Sequence, residues 1–178
     1  MNNKTNTSTI TKNALCVAVL TISSYLVLPL PFTPIVLGLQ TVAVNLIGLI
    51  FSPKHAAYTL FVYILMGLIG LPVFSGGTAG AGKLFGPTGG FYFGFLFAVI
   101  AIASLKGKTN DKFRYMLITI AVGIPIQHFF AVLFMCFYND FNVWAAFLSV
   151  SAPFIFGDVL KCVIAAIIAV PLNKILKK

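Results

Sequence analysis

The chain is poor in charge and poorest in acid. Of its 178 residues only 8% are charged, with three acidic side chains against twelve Lys and Arg. That scarcity excludes a soluble domain of this size, which could not cover its surface with polar groups. Paired cysteines are also lacking. Cys16, Cys136 and Cys162 are odd in number, lie within apolar segments and show no CxxC spacing. They are expected to be small hydrophobes, with neither a disulfide framework nor a zinc site. No Ser-His-Asp, HExxH or paired-carboxylate constellation is visible, so no catalytic residue, metal or cofactor is expected. One frame, Gly77-Thr-Ala-Gly-Ala-Gly82-Lys83, nearly matches a nucleotide-binding loop. The next position must be Ser or Thr to hold magnesium, and it is Leu84. Pro87 then interrupts the helix that should follow.

What the chain has in abundance is apolar sequence: 60% of residues are hydrophobic and the mean hydropathy is +1.03. This composition predicts an all-α integral membrane protein, a single membrane domain over 1–178, with the lipid bilayer as its solvent. A spanning helix needs about 20 largely apolar residues, fewer when other protein flanks its ends. Six segments qualify: 14–30, 36–51, 56–71, 89–105, 115–137 and 154–172. The first has no small-residue cleavage site and more of the same follows it, so it reads as a retained helix. Pro29, Pro31 and Pro34 break the first connection, Ser52-Pro53-Lys54-His55 forms a polar turn, and Lys106–Arg114 is a charged loop.

The charges orient these spans. With six spans both termini share one side. That side carries Lys4, Lys12, Lys54, Lys106, Lys108, Lys112, Arg114, Lys174, Lys177 and Lys178, while Lys83 stands alone on the other. The bias predicts cytoplasmic termini. It also accounts for the net charge of +9 without nucleic acid as a partner. The stretch Val143–Ala152, with Trp144 and Phe147, is expected along the outer interface.

Asp158 and Lys161 interrupt the last apolar run. Three residues apart on a helix, they share a face near its outer end. A buried carboxylate or ammonium costs several kcal/mol, on the order of the values for isolated buried ions, unless paired. Two readings follow: a self-neutralising ion pair, or one acceptor and one cation offered to a ligand arriving from outside. Seven of the fifteen glycines fall between Gly76 and Gly90. They form either a flexible connection or a lid whose bare backbone approaches a ligand. Gly86, Gly90 and Gly94 recur at the spacing that lets helices pack closely, as do Ala14 and Ala18 on the first helix. For the alanines the usual meaning is internal packing, and contact with a second membrane protein is the alternative. His128 follows Pro125 inside the fifth span. A lone histidine there is more often a hydrogen-bonded packing residue than a proton relay.

Four stretches occur in order: Leu30-Pro-Phe-Thr-Pro-Ile-Val-Leu-Gly-Leu-Gln40-Thr41, Gly67-Leu-Ile-Gly-Leu-Pro-Val-Phe-Ser-Gly-Gly77, Gly86-Pro-Thr-Gly-Gly-Phe91 and Phe156-Gly-Asp158-Val-Leu-Lys161. From Ala14 to Leu172 the chain resembles the BioY family, the biotin-specific substrate-binding subunits of energy-coupling factor transporters of prokaryotic cell membranes. The resemblance implies six helices and no enzyme activity. It also implies biotin as ligand, and as partners a transmembrane coupling protein and two ATPases that supply the missing nucleotide site. Ala14 and Ala18 match the pair with which the family meets its coupling protein. Biotin offers ureido N–H donors, a ureido carbonyl, apolar rings and a carboxylate. Asp158 is then expected to accept ureido N–H groups and Lys161 to meet a polar end. Gln40 and Thr78 add polar contacts, and Phe74, Phe91 and Tyr92 add apolar walls. Some members carry arginine in the glycine loop or after the GPTGG run. Here Thr78 and Tyr92 stand there and the only arginine is Arg114, leaving Lys161 and Lys83 as candidates for the ligand carboxylate. A subunit for another vitamin, a small membrane enzyme and a structural membrane subunit are the competing readings.

Overall fold

The computed structural model describes residues 7–28, 37–139 and 142–176. The prolines at 29, 31 and 34, and Lys4, Lys177 and Lys178, lie outside the described residues. Helix α1 (Thr7–Tyr25) leads into a two-residue antiparallel pairing of β1 (Val27–Leu28) with β2 (Leu37–Gly38). Then come α2 (Gln40–Ile50), α3 (Pro53–Leu68), a 3-10 turn at Ser75–Gly77, the short α4 (Ala81–Leu84) and α5 (Gly90–Leu105). Helix α6 (Lys112–Ile118), a π-helical turn at Thr119–Gly123 and α7 (Ile124–Asn139) run on as one rod. The short α8 (Val143–Val150) and α9 (Ala152–Leu176) complete the all-α fold.

Local chemistry sets the boundaries. Pro53 occupies the first turn of α3, where its missing N–H costs nothing. Asp111 caps α6 by accepting from the amides of Phe113 and Arg114 at 3.1 and 3.3 Å, and Asn142 caps α8 through Ala145 N–H at 2.8 Å. The π-helical turn lies directly before Pro125, which cannot donate to the carbonyl one turn back. Thr119 Oγ1 donates to the carbonyls of Tyr115 and Met116 at 2.9 and 3.1 Å. α1 starts seven residues before the apolar segment at Ala14, because polar residues are tolerated in a helix that extends beyond apolar surroundings.

Among the described residues, the rod Lys112–Tyr138 (27 residues) and α9 (25 residues) are long and apolar enough to cross a membrane by themselves. Helices α2, α3 and α5 have 11, 16 and 16 residues, and they sit against one another and the longer helices. At about 1.5 Å per residue, α2 covers only part of a bilayer core.

Close approach of α5 and α7 requires glycine. A Cβ on Gly90 would lie 2.2 Å from the Phe130 carbonyl oxygen, and one on Gly94 would lie 2.9 Å from Gln127 Cα. The third member of the spacing, Gly86, does not share this contact. It packs within its own loop, where a Cβ would meet the Gly82 carbonyl at 2.6 Å.

The distribution of polarity is inverted relative to a soluble protein. Phe156 is 87% exposed on α9, with Leu160 and Ile167 exposed on the same helix and Leu117, Phe129 and Phe137 on the α6–α7 rod. Asn45, Gln127, His128, Asp158 and Lys161 are buried. Apolar groups outward and polar groups inward is the arrangement lipid selects. Trp144 on α8 is exposed and stacks on Phe147, centroids 5.8 Å apart.

Candidate functional site

A cavity of about 310 Å3 opens among α2, the glycine-rich loop, α5 and α9. This volume falls within the range of small-molecule sites. Its polar lining includes Gln40 and Thr41 from α2, Ser75, Thr78 and Lys83 from the loop, and Asp158 and Lys161 from α9. Phe91, Tyr92 and Phe95 from α5 and Phe154 from α9 form the apolar walls. Elements distant in sequence converge here because α9 packs along α2 while α2 and α3 pack on α5.

Asp158 lies about two turns into α9. Its Oδ1 accepts from Lys161 Nζ at 2.8 Å, one turn along the same helix. Its Oδ2 lies 3.0 Å from His128 Nε2 on α7, and His128 Nδ1 lies 3.0 Å from Ser151 Oγ. Asp158, Lys161 and His128 are only 5%, 6% and 6% exposed. Both carboxylate oxygens are therefore held, one by an ammonium and one by an imidazole. A buried charge pair persists in an apolar setting only when its remaining hydrogen-bonding capacity is met. His128 is hydrogen-bonded, as expected of a lone buried histidine, but its partner across the bundle was not legible from sequence.

Gln40 enters from the first turn of α2. Its Nε2 donates to Tyr63 Oη at 2.6 Å, and Tyr63 Oη donates to the Val73 carbonyl at 2.6 Å. A carbonyl can only accept, so the tyrosine proton is committed to Val73. The tyrosine oxygen must therefore accept from Gln40, which fixes the amide orientation. Tyr63, absent from the sequence expectation, thus ties Gln40 to the loop. Tyr92 Oη similarly accepts from the backbone N–H of Ser75 at 3.1 Å. Thr78 stands at the exposed rim, its Oγ1 donating to the Ser75 carbonyl at 2.9 Å.

Phe74 requires a correction as a cavity wall. It is fully buried, 0% exposed, and does not line the cavity. Its ring lies behind Tyr92, tilted by 34° with centroids 4.3 Å apart, and edge-on to Tyr63 at 5.8 Å. Gly67 makes room for it, since a Cβ there would lie 2.1 Å from the ring. Phe74 backs the wall that Tyr92 forms. Lys83 reaches the lining from α4, and partial burial pushes its ammonium below the usual lysine range.

Ala14 and Ala18 do not line this cavity. Both are exposed on α1 and line a separate, mostly apolar groove of about 560 Å3 between α1 and α3, with Ile10, Val17, Tyr58 and Met66. Their small side chains leave the α1 backbone accessible there.

A model of the BioY family matches residues 1–178. The chain belongs to the BioY family. Among BioY relatives, the biotin transporter BioY2 of Lactococcus lactis subsp. cremoris is 32% identical over 168 residues, covering 92% of this chain and 88% of the relative. The biotin transporter BioY of Thermotoga maritima is 33% identical, with coverages of 82% and 85%. A solved structure, the S-component for biotin from an ECF-type ABC transporter, superposes with a TM-score of 0.89 at 27% identity, covering 98% of this chain and 95% of that one. The helices of this BioY chain thus follow a known all-α arrangement over nearly their whole length.

Proposed function

We propose that this chain is the substrate-binding subunit of a biotin uptake system: it captures biotin at a site open to the outside and delivers it inward with an ATP-driven coupling module. The observation that carries the reading is the Asp158–Lys161 pair at the wall of a cavity otherwise lined by aromatic rings. The BioY relatives bear the name of biotin transporters, and this cavity has the chemistry that biotin needs. A carboxylate acceptor suits ureido N–H groups, Phe91, Tyr92, Phe95 and Phe154 suit the thiophane ring and alkyl chain, and an ammonium suits the valerate. Lys161 and Lys83 are the two candidates for that last contact, and Gln40 and Thr78 complete the polar set. Saturable one-to-one binding of biotin by the purified protein is the expected result of a calorimetric titration. A folded protein that gives no such binding would remove the reading.

In this proposal the chain crosses the cell membrane six times with both termini in the cytoplasm. A cysteine placed at Lys83 should react with an impermeant thiol reagent added outside intact cells, and one at Lys108 only after the cells are opened, in a background without Cys16, Cys136 and Cys162. Labelling of both positions from the same side would contradict the topology.

The module in this reading comprises a transmembrane coupling protein and two ATPases. Ala14 and Ala18 offer it a helix face on which another helix can approach closely.

A further inference from the structure

We propose that His128 and Ser151 are positioning residues of the ligand site: together they form a buried chain of hydrogen bonds that fixes the plane of the Asp158 carboxylate. The proposal deepens, and rests on, the reading of the cavity as a biotin site. Neither residue lines the cavity. They act from behind Asp158, from α7 and from the junction of α8 with α9.

An aspartate side chain is free at its end. Its terminal torsion is broad, so one bond to Lys161 leaves the carboxylate free to turn about that contact. A second bond, on the other oxygen and from another helix, removes the freedom. His128 Nε2 supplies it at 3.0 Å from Oδ2 while Lys161 holds Oδ1 at 2.8 Å. Each carboxylate oxygen has room for about two hydrogen bonds, so fixing both oxygens still leaves acceptor positions for ligand donors.

The donor–acceptor pattern is determined at Asp158. Facing an ammonium, Asp158 is a carboxylate and can only accept, so the proton must sit on His128 Nε2. His128 Nδ1 extends the chain to the Ser151 hydroxyl at 3.0 Å, which can donate to a bare Nδ1 or accept from a protonated one. Ser151 is fully buried, and its Oγ is set by the tight turn between α8 and α9, where the Phe154 N–H bonds the Ser151 carbonyl at 2.9 Å. Phe91, itself a cavity wall, meets the imidazole edge-on at 6.0 Å and limits its rotation. The close packing of α5 on α7 at Gly90 and Gly94 places α7 near enough for this contact.

Two measurements test the proposal. In the ligand-free protein, the ring nitrogen-15 shifts of His128, assigned against a His55→Gln background, should show a protonated Nε2. An unprotonated Nε2 would overturn the arrangement, whatever the ligand. Affinities are then measured by calorimetry for biotin and biotin amide. His128→Leu should weaken both by a similar factor of about ten, since the acceptor and not the carboxylate contact is affected. His128→Gln, which keeps an N–H at nearly the same reach, should recover most of that loss. In an Asp158→Asn background His128→Leu should cost nothing further. Equal losses for the Leu and Gln variants, or an undiminished loss in the Asp158→Asn background, would overturn the proposal. If His128→Leu does not fold, Ser151→Ala carries the same comparison, with an expected loss of about threefold that Asp158→Asn abolishes. A wild-type protein with a protonated Nε2 that binds no biotin would instead sink the ligand assignment and leave the arrangement standing.

Discussion

Asp158→Asn is expected to weaken biotin binding by about 30- to 150-fold, the equivalent of roughly 2–3 kcal/mol for a charge-assisted hydrogen bond in a dry site. The change keeps the side chain's shape but puts a donor where the ligand needs an acceptor, and leaves both Lys161 and His128 without their carboxylate. Lys161→Met keeps most of the apolar stem and removes the cation. If Lys161 meets the valerate, biotin should lose far more affinity than biotin amide, and if Lys83 meets it the two ligands should lose equally. The double variant, Asp158→Asn with Lys161→Met, separates recognition from charge balance. A pair that merely neutralised itself would be destabilising when halved and harmless when removed together. Double-variant protein that folds well but binds biotin poorly is the expected result, and near-normal affinity would remove the pair from the site.

The second large effect is expected at the separate groove between α1 and α3. Replacing Ala14 or Ala18 with Trp should reduce co-purification of the coupling protein by about tenfold or more, because a bulky ring prevents the close helix approach that small residues permit. Both alanines are exposed and border the groove between α1 and α3, so the ring has space in the isolated subunit. Biotin affinity should therefore be retained. Lost binding with intact assembly would assign the alanines to internal packing instead. Because groove and cavity lie on different parts of the molecule, the two sets of variants are expected to fail independently.

The sequence made the large features legible for physical reasons that also set its limits. Long apolar runs must become helices in lipid, so the segment at 115–137 and the rod Lys112–Tyr138 nearly coincide. The helical spacing of Asp158 and Lys161 dictated their contact, because three residues on a helix is a local distance. The second partner of Asp158, His128, is 30 residues away, and no periodicity connects α7 to α9. The hydrogen bond from Gln40 to Tyr63 is hidden for the same reason. Phe74 illustrates a different limit. An aromatic residue beside a glycine-rich loop reads equally well as a wall or as the layer behind it. Only the space left by Gly67 put its ring behind Tyr92. The π-helical turn before Pro125 had a visible trigger in the proline.

Recognition of biotin by this cavity is the proposal on which the others depend. Calorimetric titration of the purified full chain with biotin, thiamine, riboflavin and pantothenate, each alone and then in competition, tests it most directly. Saturable one-to-one binding of biotin is expected, which the other vitamins neither reproduce nor displace. Absence of biotin binding by folded protein, or tighter binding of another vitamin at the same site, would contradict it.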